Sequence, residues 1–137
     1  RLPVQKHQNL LKLMDLFGVL LEITKIDFRL DTTEQEGEYN LKTLIARAID
    51  LLQLFIAKNP SNQQLAMTHF DALMDTVEVF QDHVLPVFKE IYRGNAEICA
   101  QTPKSLFEVF TNLAVDRADE SLLVTYHPYL DVFRLLD

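Results

Sequence analysis

Sliding the sequence 33 residues along itself brings apolar positions onto apolar positions through most of its centre. Leu52 falls on Leu85, Phe55 on Phe88, Asn62 on Asn95 and Leu65 on Ile98. Further on, Leu73 meets Leu106, Met74 meets Phe107, Val77 meets Phe110 and Phe80 meets Leu113. Each unit reads as a helix, a break, an asparagine near the next helix start, and a second apolar helix. Helical pairs of this kind bury continuous apolar faces by stacking on their neighbours. The pattern favours an all-α, armadillo-like helical repeat, a short α-solenoid segment. A closed helical bundle is the other all-α solution.

Apolar spacing and break residues give the expected elements. Leu10, Leu13, Met14, Phe17, Leu20 and Leu21 recur at three- and four-residue intervals and predict one helix over 5–24. Asp31 to Asn40, DTTEQEGEYN, is the only polar, weakly hydrophobic stretch and reads as a mobile loop. Asn40 can cap a second helix over 41–58, stopped by Asn59-Pro60. Ser61 and Gln64 have capping-box spacing ahead of a helix over 62–80. Pro86 fits the first turn of a helix over 84–93 that ends at Gly94. Thr102-Pro103 starts another through 115, and His127-Pro128 opens the last. Ile23 to Leu30, ITKIDFRL, reads as a short strand or a frayed helix end.

Composition then removes function classes. The 137 residues hold 13 Lys and Arg against 20 Asp and Glu, a net charge of -7. Nucleic-acid binders concentrate positive charge, so a nucleic acid is not the expected partner. Residues 1–30 carry a net +2 and the remainder -9, a mildly basic end on an acidic body. The single cysteine, Cys99, excludes an intrachain disulfide. No apolar run reaches the roughly 18 residues that a membrane span needs.

The search for chemistry finds no convergent set. His7, His69, His83 and His127 are never three or four residues apart, so no metal is expected. His69, beside Phe70 and near Asp71, suggests a helix-face histidine with local contacts. Cys99 lies between Ile98 and Ala100, as a buried thiol would. Asp71 and Asp75 fall one helical turn apart, a spacing expected by chance among so many acids. Three scattered glycines cannot form a phosphate loop. The chain reads as non-enzymatic, with no catalytic residue and no cofactor.

Four stretches, in order, carry a family likeness. KHQNLLKLMDLFGVLLEI, Lys6 to Ile23, resembles the opening helix of the homology domain shared by inositol trisphosphate receptors and ryanodine receptors. LIARAIDLLQLFIAKNPSNQQLAMTHFDALMD, Leu44 to Asp75, is similar to its leucine-rich helix, break, asparagine-glutamine pair (Asn62-Gln63) and aromatic-centred helix (Phe70). VLPVFKEIYRGNAEICAQTPKSLFEVFTNL resembles the next element, and YLDVFRLL, Tyr129 to Leu136, the terminal helix.

The resemblance implies a cytosolic, armadillo-like segment of an intracellular calcium-release channel of the endoplasmic reticulum. Such a segment relays ligand-driven movement toward the pore, and its partners are neighbouring domains or subunits. In inositol trisphosphate receptors the matching first helix and the break before the asparagine-glutamine pair supply basic residues for phosphate binding. Lys6 stands at one matching position, which makes it the candidate ligand-binding residue, but Pro3 occupies another. The break offers Asn59, Pro60 and Ser61 where that family has a tyrosine and two basic residues, with Lys58 nearby. A polyphosphate needs several converging cations, so inositol trisphosphate binding is not expected. The other reading is an independent cytosolic helical-repeat adaptor that binds a protein or peptide. The chain is taken as one helical-repeat domain over 1–137, or as an excerpt of a longer solenoid.

Overall fold

Threonine, asparagine and proline set most of the helix boundaries. The computed structural model describes residues 4–29, 35–104 and 108, with side chains from 35–40 excluded. Its elements are α1 (Gln5–Leu13), α2 (Leu16–Thr24), α3 (Gln35–Ile56), α4 (Pro60–Thr68), α5 (Phe70–Met74), α6 (Val77–Tyr92) and α7 (Ala96–Gln101). Every element among the described residues is helical. Thr24, Thr68, Thr76 and Thr102 each stand at or just past a helix end. Their hydroxyls donate to Leu21 O, Leu65 O, Leu73 O and Ile98 O at 2.6–2.8 Å. A hydroxyl bonded one turn back offers the carbonyl an alternative to the helical ladder.

Several boundaries differ from expectation. The helix expected over 5–24 is divided at Met14-Asp15, where Asp15 takes a left-handed conformation at φ 55°. Gly18 leaves room for that turn, since a Cβ there would lie 2.7 Å from the Asp15 carboxylate. The division turns the expected stripe apart. Phe17, Leu20 and Leu21 are buried, whereas Leu10, Leu13 and Met14 are 56%, 85% and 68% exposed. The second helix begins at Gln35 instead of 41, placing Asn40 inside it. The helix expected over 62–80 is α4, α5 and the start of α6. Its cap is Asn59, whose Oδ1 accepts from Asn62 N at 3.2 Å, two residues before the expected Ser61. The helix expected to start near Pro86 instead begins at Val77, kinks at Phe80 and carries Pro86 inside. Of the stretch ITKIDFRL, residues 23–29 form the end of α2 and a turn that buries Phe28. The readings for 31–34, most of the helix after Pro103, and the final helix lie outside the described residues.

The core lies along α3, between α2 and α6. Ile45, Ile49, Leu52 and Ile56 of α3 are fully buried, as are Val84, Val87, Phe88 and Ile91 of α6. Such side chains each stabilise the fold by about 1.5–3 kcal/mol. Phe70 crosses from α5 to Phe88, with ring centroids 5.3 Å apart.

Two helix junctions share one hydrogen-bond pattern, at a spacing other than 33 residues. Lys58 (φ 54°) and Gly94 (φ 63°) both close a helix in the left-handed conformation. Asn59 and Asn95 follow them and cap the next helix, accepting from Asn62 N and Ile98 N. The offset from Asn59 to Asn95 is 36 residues, not 33, and it relates the end of α3 to the end of α6. Divided at these capping asparagines, unit 1 is α1–α3 and unit 2 is α4–α6. Their first helices, α1 and α4, are both nine residues long and start 55 residues apart, at Gln5 and Pro60.

Candidate functional site

The segments that the resemblance singled out, the first helix and the break after α3, meet in space through side-chain amides. Gln8 points inward from α1 and is 3% exposed. Its Nε2 donates to Leu54 O at 2.9 Å and to Ala57 O at 2.8 Å. These carbonyls lie at the end of α3, where the helix itself supplies no donors. Asn59 completes the junction, its Nδ2 donating to Gln8 Oε1 at 3.2 Å and to Asn9 Oδ1 at 3.0 Å. Asn62 Nδ2 reaches back to Phe55 O at 2.8 Å.

Unit 2 repeats the device. Gln63, 1% exposed, donates through Nε2 to Glu90 O at 2.8 Å and to Arg93 O at 2.9 Å. Asn95 Nδ2 donates to Gln63 Oε1 at 2.8 Å. The pair is thus a rung. A glutamine in the unit's first helix closes the end of its last helix and accepts from the asparagine that starts the next unit. Sequence reasoning missed Gln8 and the roles of Asn59 and Gln63. The available signal was a glutamine four residues after a capping asparagine, Asn59 to Gln63.

The lysines divide around this junction. Lys12 Nζ donates to Ser61 Oγ, so Lys12 stands at the break. Lys58 is exposed on the left-handed turn beside it. Lys6 is exposed, and two residues before Gln8 it lies about 160° round the helix from that side chain.

The other candidates separate in the same manner. His69 does not turn to a neighbour on its own helix face; it interrupts the chain between α4 and α5, and its ring lies 5.4 Å from that of Phe17. Asp71 and Asp75 are both exposed on α5 and its end. His83 Nδ1 is 2.8 Å from Asp50 Oδ1, a pairing that joins α6 to α3. Cys99 is 1% exposed, and burial pushes its thiol pKa up, which keeps it protonated. Among the described residues no group of three or more His, Cys, Asp or Glu could hold a metal ion. Within the same residues no helix is long and apolar enough to cross a membrane.

The arrangement suits holding helical units in register. A family model described as the RIH domain, the homology region of ryanodine and inositol trisphosphate receptors, matches residues 1–136. No solved structure matches the chain.

Proposed function

The chain belongs to the RIH-domain family, and from that premise we infer that it is a non-catalytic relay segment of an intracellular, ligand-gated calcium-release channel. The repeated rung carries this reading. Gln8 with Asn59, and Gln63 with Asn95, join the end of one helical unit to the start of the next. Units tied in this way transmit a displacement instead of absorbing it. That is what a segment between a ligand-binding region and a pore must do, provided its contacts differ between the closed and open states. The two units sharing one hydrogen-bond pattern support an armadillo-like solenoid. The family relation supports a location on the cytosolic face of the endoplasmic reticulum, with neighbouring domains or subunits of the channel as partners.

Direct inositol trisphosphate binding is not part of this function. Lys6 sits about 160° round α1 from Gln8, the residue that faces the break, and Lys12 is engaged with Ser61. Isothermal titration of the chain with inositol trisphosphate should show weak or no heat, unchanged by Lys6→Ala. Saturable micromolar binding that Lys6→Ala removes would make Lys6 a binding residue. The relay itself is tested by Gln63→Ala in the channel that contains this segment, measuring ligand affinity and calcium release separately. Release should fall while ligand affinity holds. Unchanged release from a correctly assembled variant would overturn the relay.

A further inference from the structure

His83 of α6 is fixed toward α3 by its contact with Asp50. Phe80 (at the kink in α6), Val87 and Glu90 lie three, four and seven residues from it along the helix. They are 8%, 0% and 6% exposed. The 36-residue register carries these positions onto Leu44, Arg47, Leu51 and Leu54 of α3. There the same positions are open: Leu44 is 46% exposed, Leu51 39% and Leu54 51%, and the Arg47 side chain 79%. The α1 edge agrees. Asn59 and Asn62 of unit 2 are fully buried, while their counterparts Val4 and His7 are exposed. A groove of about 170 Å³ runs between them and α3, lined by Val4, His7, Leu51 and Leu54. Unit 1 thus presents, uncovered, the surface that unit 2 buries against a helix.

Charge adds a second constraint. Where α6 offers His83 to a carboxylate, α3 offers Arg47, which among the described residues pairs with its own neighbour Asp50 at 3.7 Å. We propose that the Leu44–Leu54 stripe of α3 docks an amphipathic helix that brings apolar side chains to the three leucines and a carboxylate to Arg47. The α3–α6 interface supplies the chemistry of the occupant, since there α3 receives such a stripe and Asp50 provides the carboxylate. Val4 occupies the place of Asn59, so the occupant meets it with an apolar side chain and not with a glutamine rung. This inference does not depend on the channel assignment.

The test uses the whole chain and, as probe, a capped synthetic peptide of residues 41–58, the helix that receives the equivalent stripe in this fold. Titration at physiological ionic strength should give saturable one-to-one binding, weakened about tenfold by Leu54→Glu in the chain. Arg47→Glu, at a side chain that is largely exposed, should also weaken it. Asp50→Arg in the peptide should then restore affinity. Displacement of the chain's own α3 would not follow that charge swap. Absence of saturable binding up to about 1 mM, or indifference to both chain substitutions, overturns the proposal. So does self-association of the chain that Leu54→Glu abolishes while the peptide does not bind, because the occupant would then be a second copy.

Discussion

Removing the Gln63 side chain tests the physical basis of the rung. Gln63→Ala deletes two donated bonds, to Glu90 O and Arg93 O, and one accepted bond from Asn95 Nδ2, at 2.8–2.9 Å. A typical intramolecular hydrogen bond contributes about 1 kcal/mol net, so three give about 3 kcal/mol. Water can reach the Arg93 and Asn95 sides of the junction, which are partly exposed, but not the Glu90 carbonyl. The loss therefore stays near that figure instead of doubling through stranded polar groups. In thermal unfolding it corresponds to a drop of roughly 10 °C for a chain of this size. Gln63→Glu sharpens the argument, since an ionised carboxylate would face two carbonyls with no proton to offer. It should be at least as damaging at neutral pH and partly relieved in acid, where the carboxyl can donate once. Gln101→Ala is the control, because that amide is exposed and, among the described residues, donates to Glu97 at 3.4 Å. Urea unfolding followed by far-ultraviolet circular dichroism reads the midpoints. A Gln63→Ala midpoint indistinguishable from that of Gln101→Ala would refute the reasoning.

The remaining expectations concern the turns, the core and the thiol. Lys58→Gly should stabilise by about 0.5–1 kcal/mol and Gly94→Ala should cost about 1 kcal/mol, since both positions are left-handed and a Cβ at 94 meets nothing; opposite shifts in urea midpoint check the pair. Phe88→Ala, at a fully buried site against Phe70, should cost about 3–5 kcal/mol in the same assay. The raised pKa of Cys99 means that the unfolded chain loses its thiol proton first. Stability linked to Cys99 is then intact below the unfolded thiol's range, near pH 8.5, and declines as pH rises toward the folded value. Cys99→Ala should flatten that decline, and iodoacetamide should modify the native thiol far more slowly than the urea-unfolded one.

Much of the architecture was legible because local chemistry decides it. Asn59-Pro60 and Gly94 announced real helix breaks, and Ile45, Ala48, Ile49, Leu52, Phe55 and Ile56 are buried on α3 as their spacing suggests, whereas Leu44 on the same expected face is exposed. Helix continuity was harder to read. Leu10 to Leu21 look like one stripe, yet a single left-handed residue, Asp15, rotates the first half away from the core. The stretch QEGEYN looks like loop from its polarity, but its backbone opens α3 at Gln35. The breaks at His69 and Thr76 follow from Phe70 reaching Phe88 and from a threonine hydroxyl bonding back to Leu73. Long-range packing sets the first of these, and helical periodicity does not encode it.

The repeat register shows why the junction itself escaped notice. Apolar residues on a helix recur every three or four positions, so a shift of three residues, nearly one turn, still lays leucine on leucine. Offsets of 33 and 36 are close to degenerate for any method that matches hydrophobicity. Residues with unique backbone demands break the degeneracy. Lys58 and Gly94 share a positive φ that few side chains tolerate, and Asn59 and Asn95 share a cap that only a short polar side chain makes. Matching on those positions selects 36 at once. It also aligns the ends of α3 and α6, where Leu54 O and Ala57 O await Gln8 as Glu90 O and Arg93 O await Gln63. The glutamines resist discovery for the opposite reason. Glutamine is ordinarily a surface residue, and the one local difference between Gln63 and Gln64 is that Gln63 stands four residues after the capping Asn59. What marks them is a helix terminus tens of residues away whose carbonyls need donors. A polar residue four positions after a helix cap, in a chain built from stacked helices, is therefore best read by asking which distant helix end it closes.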